Sequence, residues 1–185
     1  MNTQTVIAGH IKAAIRIAEQ AECDSIASRM RKASGKPSGK NGPTLPDLYS
    51  LKWMCMELPK GYPREAAAMH IQACCHILLD ELAIDALRIW EKLSRANRNP
   101  ATESLGAKAA MDALQRITSA TCYNMPPENE LELIRAIDTL CSAIESIPAS
   151  DLYNLDALDK TIVRERPKYM RGVVNALRKT NDIVA

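Results

Sequence analysis

The stretch PREAAAMHIQACCHILLDELAIDALRIWEKLSRA, residues 63–96, decides the fold class because apolar residues recur along it at helical spacing. Residues three and four positions apart lie on the same face of an α-helix. One apolar row follows a 4-3-4-3-4 rhythm, and a second row runs beside it. The first row contains Cys75, Leu79, Leu82, Ala86, Ile89 and Leu93, and the second contains Ile71, Cys74 and Leu78. Such a broad stripe predicts a long central helix with neighbours on most sides.

The same spacing recurs through nearly all of the chain, and no run alternates in the way that strands do. Prolines fall between the periodic stretches or at expected helix starts. We therefore predict an all-α, single-domain bundle of six to seven helices over residues 1–185. Besides 63–96, the predicted helices cover about 3–33, 46–58, 100–123, 127–147, 151–164 and a last one that starts at Pro167.

Composition favours a soluble protein of the cytoplasm. A chain of 185 residues can bury roughly 70% of its unfolded surface, so it needs no disulfide to fold. Most of its six cysteines sit in helical runs, which favours a reducing compartment. No apolar run approaches the roughly 20 residues that span a bilayer, and the first residues lack the order of a secretion signal. We expect no membrane association.

Charge is distributed unevenly behind a net value of +2. Residues 1–40 carry seven Lys/Arg against three Asp/Glu, and residues 160–185 carry seven against two. The middle, 41–159, carries ten against seventeen. Basic ends and an acidic centre indicate a role in choosing partners rather than in setting the fold.

Two basic segments are candidate binding surfaces for nucleic acid or for an acidic protein. The first, RMRKASGKPSGK, begins at Arg29 and includes a Gly/Ser/Pro connection at about 34–45 that we expect to be flexible. It does not match a phosphate-binding loop, because the glycine spacing is too short and a helix precedes it. No aromatic residue is interleaved for base stacking. The candidate residues are Arg29, Arg31, Lys32, Lys36 and Lys40 in this segment, and Arg164, Arg166, Lys168, Arg171, Arg178 and Lys179 in the second.

The short helix around LKWMCMEL is apolar on nearly every side. Such a helix is either buried completely or presents a Met/Trp surface to a partner. Burial is the favoured interpretation. If the helix is exposed, Trp53, Met54 and Met56 form the best candidate for a protein interface, because tryptophan is enriched at binding hot spots.

Arg64 and His70 give an R-x5-H pair that resembles the R-x4–6-H motif of the helical HEPN ribonuclease superfamily. The resemblance covers these two residues and implies that they would act in RNA cleavage. The residue after the arginine is Glu65, where an Asn, Asp or His often follows in that superfamily. The alternative is that Arg64 starts a helix and His70 is partly buried.

The segment HIQACCH, residues 70–76, is the one candidate for a metal site. His70 and Cys74 share a helix face, but a structural zinc site needs four convergent ligands and usually paired C-x-x-C spacing. Core packing is the favoured role for Cys74 and Cys75. We therefore expect no metal and no cofactor.

No catalytic constellation stands out, so the sequence favours a non-enzymatic binding protein: a regulator, adaptor or inhibitor of bacterial or phage type. It would reach its protein partner by electrostatic steering from the basic ends, followed by packing of an apolar patch. Nucleic-acid binding through segments 29–40 and 164–179 is the alternative, and a HEPN-like ribonuclease is a remote one. A homo-oligomer is compatible with all three.

Overall fold

The computed structural model describes residues 3–35, 46–96, 105–118, 125–148, 152 and 155–183. Within these ranges the chain forms helices and no strand, so the predicted all-α bundle with a long helix is confirmed. Seven helices lie in the described residues. They are α1 (Thr3–Gln20), α2 (Asp24–Ser34), α3 (Leu48–Met56), α4 (Tyr62–Ala96), α5 (Leu105–Thr118), α6 (Pro127–Glu145) and α7 (Ala157–Asn181).

The chain divides into two compact units. The first consists of Met1–Ile77 with Ala176–Ala185, and the second of Leu78–Asn175. In the first unit α1 packs against α2, and α2 packs against α3. In the second unit α5 packs along α6. Helices α4 and α7 each contribute residues to both units, and the assignment of residues 1–185 to one domain stays a prediction.

Helix α4 has the buried stripe that its sequence predicts. All six residues of the 4-3-4-3-4 row are buried, as are the three of the second row. By length and composition Tyr62–Leu93 could also cross a membrane, with a mean hydropathy of 1.2, but 61% of the apolar window is buried inside the fold. Burial of this kind is typical of the core helix of a soluble protein.

The predicted first helix, 3–33, is wrong as one element because the chain turns between α1 and α2. Glu22 adopts a left-handed backbone with φ of 57°. The N–H of Cys23 then donates to the Ala18 carbonyl at 2.9 Å, and the N–H of Glu22 donates to the Glu19 carbonyl at 3.0 Å. These two bonds are those of a Schellman motif, which satisfies the last carbonyls of a helix.

The predicted boundary at Pro167 is also wrong, because α7 is one helix with this proline inside it. Proline has no N–H to donate, so it removes one bond from the helix ladder. Pro167 itself is buried, and it lies on the same face as the buried residues Val163, Met170 and Val174. Tertiary packing of that face therefore outweighs the local cost of the proline.

The remaining predicted helices agree with the structure where residues are described. Helix α3 is shorter than the predicted 46–58, and Asp47 caps it by accepting a 3.0 Å hydrogen bond from the N–H of Ser50. Helix α6 matches the predicted 127–147 within two residues. The ends of the predicted helix 100–123, the start of the predicted helix 151–164 and most of the 34–45 connection lie outside the described residues.

Candidate protein-binding groove

Trp53 is half exposed, so the expectation that its helix is fully buried is wrong. Leu48, Leu51 and Cys55 form the inward face of α3 and are buried. Trp53 is 50% exposed, and Tyr49, one turn earlier, is 43% exposed. Tyr49 and Trp53 are one helical turn apart, so they share a face of α3. This face is exposed to solvent, whereas the face with Leu48, Leu51 and Cys55 packs inside the first unit.

An open groove of about 370 Å³ runs beside these two aromatic rings. Its first wall comes from α3, which contributes Tyr49, Trp53 and Met56 at helical spacings of four and three. Its second wall comes from Lys179 in the last turn of α7 and from Asp182 and Ile183, which directly follow that helix. The volume falls at the small end of the range for ligand sites, roughly 300–1,000 Å³. Met54 is half-buried and does not line the groove.

The lining of the groove includes two exposed charges of opposite sign, Lys179 and Asp182. Neither forms an ion pair with any residue that the structure describes. Both charges are therefore available to a partner. Lys179 also belongs to the strongly basic end of the chain, residues 160–185.

A buried polar network connects the two walls of the groove. Lys52 on α3 donates from Nζ to Oε1 of Gln72 on α4 at 2.9 Å. The Gln72 amide nitrogen donates to Oδ1 of Asn181 on α7 at 3.2 Å and lies 3.2 Å from Nε2 of His76. Lys52 and His76 are 7% and 5% exposed. The side chains of α3, α4 and α7 thus meet at one amide group.

A bidentate ion pair fixes the other end of α3. The Arg29 guanidinium on α2 donates to both carboxylate oxygens of Glu57, at 2.5 and 2.9 Å. This hydrogen bonding lowers the pKa of Glu57 and raises that of Arg29. Planar bidentate pairing favours a defined geometry, so this exposed pair joins the C-terminal end of α3 to α2.

Five of the basic residues predicted to bind nucleic acid or an acidic partner form ion pairs with carboxylates inside their own unit. In the first unit Arg29 pairs with Glu57, and Arg31 pairs with Glu19. The same holds in the second unit for three more pairs, which are Arg166 with Asp85, Lys168 with Glu165 and Arg171 with Glu145.

The remaining predicted basic residues are exposed or half-buried, or lie outside the described residues. Arg166, besides its ion pair, stacks over the Tyr169 ring with its guanidinium carbon 4.7 Å from the ring centroid. Lys32 and Arg164 are exposed and form no ion pair with a described residue. Arg178 is half-buried, and it already interacts within the protein. Lys36 and Lys40 lie outside the described residues.

Arg64 and His70, the residues of the HEPN-like pair, each contact another part of the first unit. The Arg64 guanidinium binds the carbonyl of Leu58 through Nε at 3.0 Å and Nη2 at 2.8 Å, which closes the turn between α3 and α4. His70 approaches His10 of α1, with 3.0 Å between their Nδ1 atoms. These contacts give both residues a structural role, and the ribonuclease activity stays a prediction.

The cysteines are placed as core residues. Cys55, Cys74, Cys75 and Cys141 are buried, and Cys23 is half-buried. Desolvation by burial raises the pKa of Cys55, Cys74 and Cys141 to about 12 in each case. Thiols in such surroundings are poor nucleophiles and poor metal ligands. In the described part of the chain no three His, Cys, Asp or Glu side chains converge on a common point.

Comparison of the chain with protein-family models, with curated proteins and with solved structures found no match in any of the three. The groove is therefore interpreted from its own geometry. The sequence singled out Trp53, Met54 and Met56, and it named Lys179 in a separate basic segment, but it missed Tyr49, Asp182 and Ile183. The four-residue spacing of Tyr49 and Trp53 could have predicted that both rings lie on one face of α3. The position of Ile183 beside them depends on tertiary packing, which the sequence pattern does not report.

Proposed function

We propose that this chain is a non-enzymatic binding protein that docks a segment of a partner protein in the groove between α3 and the end of α7. The segment would carry an apolar side chain next to an acidic one. One observation supports this most strongly: Trp53 and Tyr49 lie half exposed, one helical turn apart, in a concave site. Tryptophan and tyrosine dominate binding hot spots because they bury large areas at low entropic cost.

Lys179 favours an acidic side chain in the partner segment. It lines the groove and forms no ion pair with a residue that the structure describes. Opposite charge at the groove accelerates the encounter, and the apolar anchor then slows dissociation. Met56 and Ile183 supply the apolar walls for that anchor.

Nucleic-acid binding is the less favoured alternative because phosphate recognition needs several free cations. Arg29, Arg31, Arg166 and Arg171 each hold a carboxylate in the structure. Among the residues that line the groove, Lys179 is the one cation. A gel shift across salt concentrations tests this alternative. Affinity that falls steeply with salt and weakens in the Arg31→Ala, Lys32→Ala, Lys36→Ala triple variant would support it.

A random-peptide library displayed on phage tests the proposed function directly. We expect selection to enrich peptides with an apolar anchor beside Asp or Glu. Trp53→Ala should weaken binding of an enriched peptide by about 30-fold, since truncating an aromatic hot spot costs about 2 kcal/mol. Lys179→Glu should reverse the preference for acidic flanks.

Tyr62→Ala is the matched control, because Tyr62 is an aromatic side chain 76% exposed at the start of α4 and outside the groove. This variant should bind the peptide as wild type does. Enrichment of basic peptides, or unchanged affinity in a folded Trp53→Ala protein, would refute the proposal. So would single-stranded nucleic acid binding that depends on Trp53, which would instead assign the groove to base stacking.

A further inference from the structure

We infer that Gln72 is the positioning residue of the groove: its single amide group holds the two walls in register. The inference rests on the proposed function for its biological meaning. The effect of Gln72 on the position of α3 can be measured without a partner. Gln72 does not line the groove and would touch no ligand. It acts through its neighbours on α3 and α7.

The positions of its hydrogen-bond partners connect Gln72 to both walls. Lys52 immediately precedes Trp53 in the first wall, and Asn181 immediately precedes Asp182 in the second. Gln72 accepts from Lys52 at 2.9 Å and donates to Asn181 at 3.2 Å. One side chain of α4 therefore bridges the backbone segments that carry Trp53 and Asp182.

The contact with Lys52 orients the Gln72 amide. A lysine ammonium can only donate, so the amide oxygen must face Lys52. The amide nitrogen then donates to Asn181 and points at Nε2 of His76, which must accept. Rotating the amide by 180° would place its NH₂ group against the ammonium of Lys52. The network thus selects one side-chain geometry, as satisfied buried polar networks do.

Burial makes the network costly to break. Lys52 is 7% exposed, and a buried charge needs the acceptors that surround it. When the Gln72 oxygen is removed, the ammonium group loses one acceptor and gains by moving toward water. That movement shifts α3 at Trp53. Loss of the amide nitrogen releases the Asn181 side of the groove in the same way.

Acrylamide quenching of tryptophan fluorescence tests the inference. The chain has two tryptophans, of which Trp53 is half exposed and Trp90 is 4% exposed, so quenching reports on Trp53. Gln72→Leu should raise the quenching constant by up to about twofold, because release of α3 can at most expose the covered half of the indole. Asn181→Ala removes one arm and should give a smaller increase.

Gln20→Leu is the matched control, since Gln20 is exposed at the end of α1 in the same unit and should leave quenching unchanged. A Gln72→Leu protein with native helical circular dichroism and wild-type quenching would overturn the inference. If Gln72→Leu does not fold, Asn181→Ala decides, and wild-type quenching of that variant would overturn it. Quenching needs no ligand, so failure of peptide binding with altered quenching would refute only the proposed function.

Discussion

His10 of α1 and His70 of α4 face each other with 3.0 Å between their Nδ1 atoms, although 60 residues separate them in sequence. Their rings are tilted by 46° with centroids 5.3 Å apart. A hydrogen bond between two imidazole nitrogens needs one donor and one acceptor. The contact therefore holds one proton between the two facing nitrogens, and a second proton there would place two N–H groups against each other.

This contact predicts that the first unit loses stability in mild acid. Burial, followed by the charge of His70, lowers the pKa of His10 from 6.5 in the folded state. The unfolded chain then binds more protons, so the free energy of unfolding is greatest above the unfolded pKa. It should fall as pH drops through about 6.5 toward the folded pKa. Urea unfolding at a series of pH values between 8 and 5 would measure this fall. The slope of the free energy of unfolding against pH should correspond to the uptake of at most about one proton on unfolding.

His10→Asn supplies the control because asparagine can accept or donate near the same place without titrating. The pH dependence between 7.5 and 5.5 should flatten in this variant. An equal slope in both proteins would assign the acid sensitivity to other groups.

The sequence predicted the helices best where tertiary packing agrees with apolar spacing and with helix-start residues. The apolar rows predicted α4 correctly, and Pro127 predicted the start of α6. Two boundaries failed for opposite reasons. Glu22 ends α1 without the glycine that usually marks such an end, because its bonds to α1 form a Schellman motif that glutamate tolerates. Pro167 marks no end, because it lies on the packed face of α7.

The groove was only partly predictable for a related reason. Trp53 was a candidate from composition, but its exposure depends on how much of α3 the neighbouring helices cover. Lys179 was assigned to a basic segment that binds nucleic acid or an acidic protein, but its place in the groove with Trp53 follows from tertiary packing. The Gln72 network joins residues as far as 109 positions apart, and neither periodicity nor spacing reports such a contact.

The thiols provide a second prediction, about reactivity. Raising the pKa of Cys55, Cys74 and Cys141 to about 12 leaves about a thousandfold less thiolate at pH 8 than a thiol of pKa 9 would have. In the native protein we expect iodoacetamide to modify half-buried Cys23 well before these three. Peptide mapping by mass spectrometry at successive times would show the order. In 6 M guanidinium the differences should disappear, and rapid native labelling of Cys74 would contradict its place in the core.

The turn at Glu22 predicts that glycine stabilises this position. A side chain in the left-handed region is strained by about 1 kcal/mol relative to glycine, and Glu22 is exposed with φ of 57°. Glu22→Gly should therefore raise the free energy of unfolding by up to about 0.6 kcal/mol, because the extra entropy of the unfolded chain offsets about 0.4–1 kcal/mol of the relieved strain. Lys12→Gly, in the exposed interior of α1, should instead lower it by about 1 kcal/mol. Thermal unfolding of both variants would show opposite shifts, and a destabilised Glu22→Gly protein would mean that the glutamate side chain has a role of its own.

The donor pattern around Gln72 predicts the tautomer of His76. Because the Gln72 amide nitrogen faces Nε2 at 3.2 Å, the ring proton of neutral His76 must reside on Nδ1. Free imidazole side chains favour the other tautomer, so long-range ¹H–¹⁵N NMR at pH 8 would distinguish them clearly. Gln72→Leu removes the donor and should shift the His76 signals toward the Nε2–H form, whereas Gln20→Leu should leave them unchanged. A wild-type His76 that carries its proton on Nε2 would mean that the Gln72 amide does not donate to it, and the register of the two groove walls would then need another explanation.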